Sequence, residues 1–237
     1  MPSLAADDAF GARLYTGLGG QGNLVISPAS IATALRLALL GARGDTAAEL
    51  AAALGLAGPE QAADSLRATA AVLDGLASGP LTLRAPSTLW VQSGLPLRPE
   101  FTAALSGLAA VSAHDADFAR AADAARGEVN ALIAEQTAGK ITGLLPPGAV
   151  TATTRLVLAS AVYLKAAWAH PFPEAATADG PFWPEPGRAV DVPLMRLAAR
   201  LRYRRGDGYQ VVELPYAGGR LAMLIVLPDG GLGPLED

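Results

Sequence analysis

Side chains able to do nucleophilic, acid–base or metal chemistry are sparse in these 237 residues. There is no cysteine, which excludes disulfides, thiolate metal sites and a cysteine nucleophile. The two histidines, His114 and His170, have neither the spacing nor the neighbours of a metal site. His114 lies close to Asp115 and Asp117 and reads as a member of a surface salt bridge. No Gly-x-Ser-x-Gly elbow and no phosphate-binding loop occur. A hydrolase pairing His114 or His170 with a serine stays open as one reading, yet no nucleophile has an obvious base. The expectation is a protein that is not an enzyme and needs no cofactor.

The hydroxyls that stand out do so by position. Ser27 precedes Pro28, the pattern of a serine N-cap followed by proline at the first helical position. Ser30 lies one turn further on, at a helix start whose free N–H groups need acceptors. Ser160 interrupts the apolar run of residues 156–164; taken alone it is a buried serine bonded to nearby backbone. Trp168 is a large amphipathic aromatic whose indole N–H needs a partner when buried.

Composition limits what these residues can serve. Apolar residues make up 51% and charged residues 17%, a globular balance, and the length is enough to bury a core without staples. The formal net charge of -4 lacks the basic excess of a nucleic-acid binder. No apolar run reaches the length of a membrane span. With Met1 as the true start, residues 1–8 have no signal-peptide pattern, which would leave the protein in the cytoplasm. Lysine occurs only at Lys140 and Lys165 amid abundant arginine and alanine, read here as the codon bias of a GC-rich, bacterial genome.

The elements that must position these groups divide into a helical first half and a strand-rich second half. Helices are predicted at 7–16, from Ser27 with Ile31, Leu35, Ala38 and Leu39 on one stripe, and from a capping box at Thr46–Glu49 to Gly55. Further helices are predicted at 60–76 (closed by Gly79-Pro80), 99–108 and 121–138. Leu24-Val25-Ile26 and residues 81–92 read as strands. Residues 156–164 are too apolar for a half-exposed strand and read as a central strand covered on both faces. Strands follow around Val190 and Val192 and around Leu201 and Tyr203. A hairpin joins 209–214 to 221–227 through Ala217-Gly218-Gly219. Pro234–Asp237 resembles the opening of a helix.

Two surface patterns have ordinary explanations. Arg43-Gly44-Asp45 and Arg205-Gly206-Asp207 spell an integrin-binding tripeptide, but Gly and Asp are standard turn formers. Arg196, Arg200, Arg202, Arg204 and Arg205 form a local basic cluster. Alternation along a strand divides them between faces, and a solvated edge protected by arginines accounts for them.

Several segments, in order, resemble the serpin family. Asn23–Leu35 is similar to its strand-to-helix signature, and Leu40–Thr46 to the small-residue turn that follows. Val129-Asn130 through Ile141, Leu144–Gly148 and Thr154–Leu158 continue the pattern. So do Tyr163–Trp168, Pro171-Phe172, Thr177 and Phe182. Val192–Met195, Glu213–Tyr216 and Met223–Pro228 complete it. The match spans residues 7–237.

The resemblance implies an α+β serpin fold, with a multi-helix N-terminal half packed on a large central sheet plus smaller sheets. It implies a suicide-substrate inhibitor of serine, and in some members cysteine, endopeptidases. In such inhibitors a cleaved reactive loop inserts as a new strand into the main sheet. The partner it implies is a serine endopeptidase, with no nucleic acid and no membrane; the family also brings an extracellular setting. The alternative within the family is a non-inhibitory binding or chaperone-like module. By resemblance, Ser27, Ser30 and Ser160 fall at the shutter, where strands of the main sheet part. Ser160 stands where asparagine is usual, so it has shorter reach and fewer hydrogen bonds. Trp168 and Lys165 fall at the breach, where insertion begins; the family's aromatic-Lys-Gly is altered here to Leu164-Lys165-Ala166. The resemblance ends before the family's C-terminal third. The expectation is a single serpin domain over 1–237, truncated, without the reactive loop and inactive by itself. Its strand at 156–164 would then expose an apolar edge.

Overall fold

In a computed structural model, the structure describes residues 2–19, 22–77, 81–108, 111–185 and 187–231. In chain order the elements are α1 (Pro2–Leu18), α2 (Pro28–Gly41), α3 (Gly44–Leu54), α4 (Pro59–Ala77), β1 (Thr82–Arg84), β2 (Ser87–Gln92), α5 (Pro99–Ser106), β3 (Val111–Ala116) and α6 (Phe118–Gln136). There follow β4 (Leu156–Ser160), β5 (Tyr163–Lys165), a short 3-10 turn at Glu174–Ala176, β6 (Ala178–Glu185), β7 (Arg188–Leu194), β8 (Arg202–Arg205), β9 (Tyr209–Pro215) and β10 (Ala222–Pro228). They gather into two compact units, one of Met1–Ala77 with Leu83–Leu164 and one of Ser78–Thr82 with Lys165–Asp237. The helix expected at Pro234–Asp237 and the Gly79-Pro80 stop lie outside the described residues.

The first unit is built around a sheet of order β3-β2-β4. Strand β2 pairs parallel with β3 and antiparallel with β4. Its side chains alternate between two apolar layers, as the two-residue period of a strand requires. Leu89 and Val91 join Leu37, Leu39 and Leu40 of α2, Leu54 of α3 and Leu66 of α4. Trp90 joins Phe118, Ala125, Val129 and Ile133 of α6. Each of these large apolar side chains stabilises the fold by roughly 1.5–3 kcal/mol on full burial. The sheet is thus packed between α2 with its neighbours on one face and α6 on the other.

Strand β4 contributes to both layers, with Leu158 in the first and Val157 and Ala159 in the second. The reading of 156–164 as covered on both faces therefore holds for Val157, Leu158 and Ala159, while Leu156, Val162 and Leu164 are exposed. Its placement as a central strand does not hold: among the described residues β4 is at the edge and β2 is the middle strand. The segment also divides at Ala161-Val162, opposite a break at Ala85-Pro86. Proline has no N–H to give to a ladder, and one bond, from Ala161 N–H to the Pro86 carbonyl at 3.1 Å, crosses the gap. Beyond it β1 pairs with β5.

Several local expectations are corrected. Residues 24–26 form no strand among the described residues, and Val25 is 94% exposed; local propensity makes no ladder without a partner. Helix α3 starts before the expected capping box, with Arg43 at the cap and no side-chain capping bond. Thr46 is already inside the helix. Gly55 does end it, in the left-handed region at φ 64°, with the Leu56 N–H reaching back to the Ala51 carbonyl. Helix α2 is buried over more than the one predicted stripe. Ala32, Arg36, Leu37, Leu39 and Leu40 are all buried, because sheet and helices surround it.

The second unit contains the antiparallel sheet β10-β9-β8 and the pair β6-β7. The predicted hairpin is β9–β10, in register from Pro215 opposite Ala222 to Tyr209 opposite Pro228. Strand β6 is not among those predicted, because its residues lack alternation. The arginine-rich β8 lies at the edge of its sheet with every residue exposed. Arg202 faces Glu213 at 3.5 Å and Arg205 faces Asp229 at 2.9 Å, in keeping with a solvated edge.

Candidate functional site

Ser27 caps α2 as its sequence context requires. Its backbone is extended (φ -121°, ψ 90°), and its side-chain oxygen accepts from the Ser30 N–H at 3.4 Å. The Ser27 hydroxyl also donates to the Ser30 hydroxyl oxygen at 2.9 Å. The cap and the hydroxyl pair are one structure, so Ser27 combines a structural and an exchangeable contact.

Ser160 reaches this neighbourhood through β4. The two-residue period that sends Leu158 toward α2 also sends Ser160 to that face. Directly across the ladder stands Ser87, at the start of β2, with the two Oγ atoms 3.4 Å apart. Ser27, Ser30, Ser87 and Ser160 line one cavity of about 410 Å³, closed on its other sides by Leu66, Leu73 and Asp74 of α4 among others. The structure therefore brings the three expected serines together and adds Ser87. Its place as the first residue of a strongly apolar strand, just after Pro86, was the signal available for it.

On the opposite face of β2 the polar groups are fully engaged. The buried Trp90 indole N–H donates to Thr88 Oγ1 at 3.0 Å, and Thr88 Oγ1 donates to the Ala159 carbonyl at 3.3 Å. Asn130 of α6 fixes the loop after its helix with both ends of its amide. It donates to the Leu145 carbonyl at 3.0 Å and accepts from the Leu145 N–H at 2.8 Å. The ladder between β2 and β4 is thus flanked by a dry, satisfied face and by a face of short hydroxyls bordering open space. Hydroxyls rotate to suit a new partner, so the bonds of the second face are the ones that exchange cheaply.

Trp168 and Lys165 belong to the second unit. Trp168 stacks on Tyr216 with ring centroids 4.5 Å apart and 11° between planes, and meets Phe172 edge-on at 6.3 Å. A bridge between Trp168 and Tyr216 continues past the end of β9, with Ala169 N–H bonded to the Pro215 carbonyl and Ala217 N–H to the Ala167 carbonyl. Lys165 closes β5 and is exposed.

His114 is not in the expected salt bridge. Parallel pairing sets it beside Trp90, on which it stacks at 4.4 Å and 20°, and its Nε2 lies 3.0 Å from Ser112 Oγ. No carboxylate bonds its other ring nitrogen among the described residues. Two further groups escaped sequence reasoning. Arg36, 1% exposed, pairs with Asp7 of α1, and its Nε has no hydrogen-bond partner among the described residues. Among the described residues no group of three His, Cys, Asp or Glu side chains gathers as a metal site, and no helix is long and apolar enough to cross a membrane.

The family model described as Serpin (serine protease inhibitor) matches residues 5–237. The chain belongs to the serpin family. Similar to it is a leukocyte elastase inhibitor from Bos taurus, 36% identical over 230 residues, covering 95% of this chain and 60% of that protein. So is an uncharacterized serpin-like protein from Thermococcus kodakarensis, 38% identical, covering 97% of this chain and 54% of the other. Among solved structures, that of cleaved Serpin 42Da matches with TM-score 0.88 at 34% identity, over 98% of this chain and 63% of that one. An Arabidopsis serpin in its native stressed conformation matches with TM-score 0.85 at 29% identity, over 99% and 62%. The α+β serpin fold expected from the sequence is thereby established. The chain spans roughly three-fifths of the length of these relatives. They come from cattle, an archaeon and a plant, so the bacterial source inferred from composition finds no support in them.

Proposed function

We propose that these residues form the opening part of a serpin-type suicide-substrate inhibitor of serine endopeptidases, with cysteine endopeptidases as a second target class. The observation that carries this reading is the Ser27–Ser30 pair beneath the Ser87–Ser160 rung of the β2–β4 ladder. A sheet that admits a new strand needs contacts that let go at small cost. A net hydrogen bond contributes only about 0.5–1.5 kcal/mol, and four hydroxyls around a cavity can re-pair without leaving a buried charge. Ser27, Ser30 and Ser160 are proposed as shutter residues, with Ser87 as their partner. Trp168 and Lys165 are proposed as breach residues, Trp168 acting through its stack on Tyr216.

On this reading the protein is no catalyst, and the protease-contacting loop lies outside the 237 residues. The chain alone is then inactive as an inhibitor. Near-equal likeness to a cleaved and to a native serpin fits a portion of the fold that serves both states. The test is a titration of residual trypsin and elastase activity against the 237-residue chain and against a longer protein that includes it. The expected result is unchanged activity with the chain and an SDS-resistant complex with the longer protein. Stoichiometric covalent inhibition by the 237-residue chain overturns the proposal, as does turnover of ester substrates.

A further inference from the structure

We infer that a second cavity of the first unit binds a small amphiphilic carboxylate, one apolar chain carrying a single acid group. The cavity measures about 440 Å³ and lies among the end of α2, the start of α3, α5 and strands β2 and β4. That is within the roughly 300–1,000 Å³ typical of small-molecule sites. Its walls are mostly apolar and include Leu37, Leu50, Leu89, Phe101 and Leu158.

Charge selects the occupant. Arg43 and Arg98 are the only charged residues in the lining, and no acidic side chain accompanies them. Neither forms an ion pair among the described residues, in a chain whose formal net charge is -4. Arg43 is held in place, its Nη1 donating to the carbonyls of Leu40 at 3.2 Å and Ala42 at 2.7 Å. A guanidinium fixed by one nitrogen keeps its other donors for an anion, and the planar fork matches a carboxylate. Both arginines are exposed, which puts the acid group at the mouth and the chain among the leucines. A cation or a neutral hydrocarbon would leave that pair unanswered.

Decanoate is the probe, titrated calorimetrically into the protein. Saturable binding of one decanoate per chain is expected. The double substitution Arg43→Gln with Arg98→Gln weakens it at least tenfold while far-UV dichroism shows the fold retained. Decan-1-ol binds at least tenfold more weakly than decanoate. A diazirine-bearing decanoate labels peptides containing Leu37, Phe101 or Leu158. Absence of saturable binding, which includes a cavity already covered by further polypeptide, overturns the assignment. Equal affinity in the doubly substituted protein, equal affinity for the alcohol, or label placed elsewhere does so too.

Discussion

Ser87 faces Ser160 across the β2–β4 ladder, their hydroxyl oxygens 3.4 Å apart, over a cavity that also receives Ser27 and Ser30. The two residues are 73 positions apart in the chain. At that separation the hydrogen bond is long, and its worth lies at the low end of the usual range.

This geometry makes Ser160→Asn a gain rather than a loss. The neighbouring cavity has room for the larger side chain, and an amide brings both donors and an acceptor. Stability is expected to rise by about 1 kcal/mol, read as a higher urea midpoint with unchanged slope. In the proposed inhibitor the same change slows strand entry. A lower midpoint would mean that the cavity is not open to a side chain at position 160.

Ala138, just past α6, has φ +52°, in the left-handed region that costs a residue with a Cβ roughly 1–2 kcal/mol. Gly139 follows at φ +73°. Ala138→Gly relieves the first of these and gives back part of the gain as unfolded-state entropy. A net stabilisation of about 0.5–1 kcal/mol is expected from thermal and urea unfolding. Destabilisation would show that the methyl group is held by contacts that outweigh the strain.

The Arg36–Asp7 pair ties α1 to α2 with the arginine fully buried. Asp7→Ala removes the acid paired with a desolvated guanidinium and is expected to cost on the order of 3 kcal/mol. Replacing both residues, Asp7→Ala with Arg36→Met, recovers most of that loss, because the buried charge is gone. A double substitution no more stable than Asp7→Ala counts against charge burial as the cause.

The β4–β5 segment is an edge among the described residues, with Leu156 and Leu164 about 40% exposed. An apolar strand edge templates pairing with other chains. In the 237-residue chain, Leu164→Lys is expected to slow the growth of light scattering several-fold with helical content unchanged. Equal rates would place the aggregating surface elsewhere, with the exposed β10 face from Met223 to Leu227 as the next to substitute.

What the sequence determined by itself was local or cumulative. The Ser27-Pro28 start of α2, the Gly55 stop of α3 and the hairpin of β9 and β10 follow from capping, left-handed glycine and alternation, all of which act within a few residues. The serpin fold was legible because many short segments occur in the right order, none of them decisive alone. Tertiary structure decided the rest. Apolar density in 156–164 reported cover on both faces, which holds at Val157–Ala159, and it could not report that the strand is an edge, since burial by helices and pairing with strands are separate events. Strand propensity at 24–26 produced no ladder for want of a partner. Ser87 met Ser160, and Arg36 met Asp7, because register and helix docking bring together residues whose own neighbours in sequence contain no trace of the encounter.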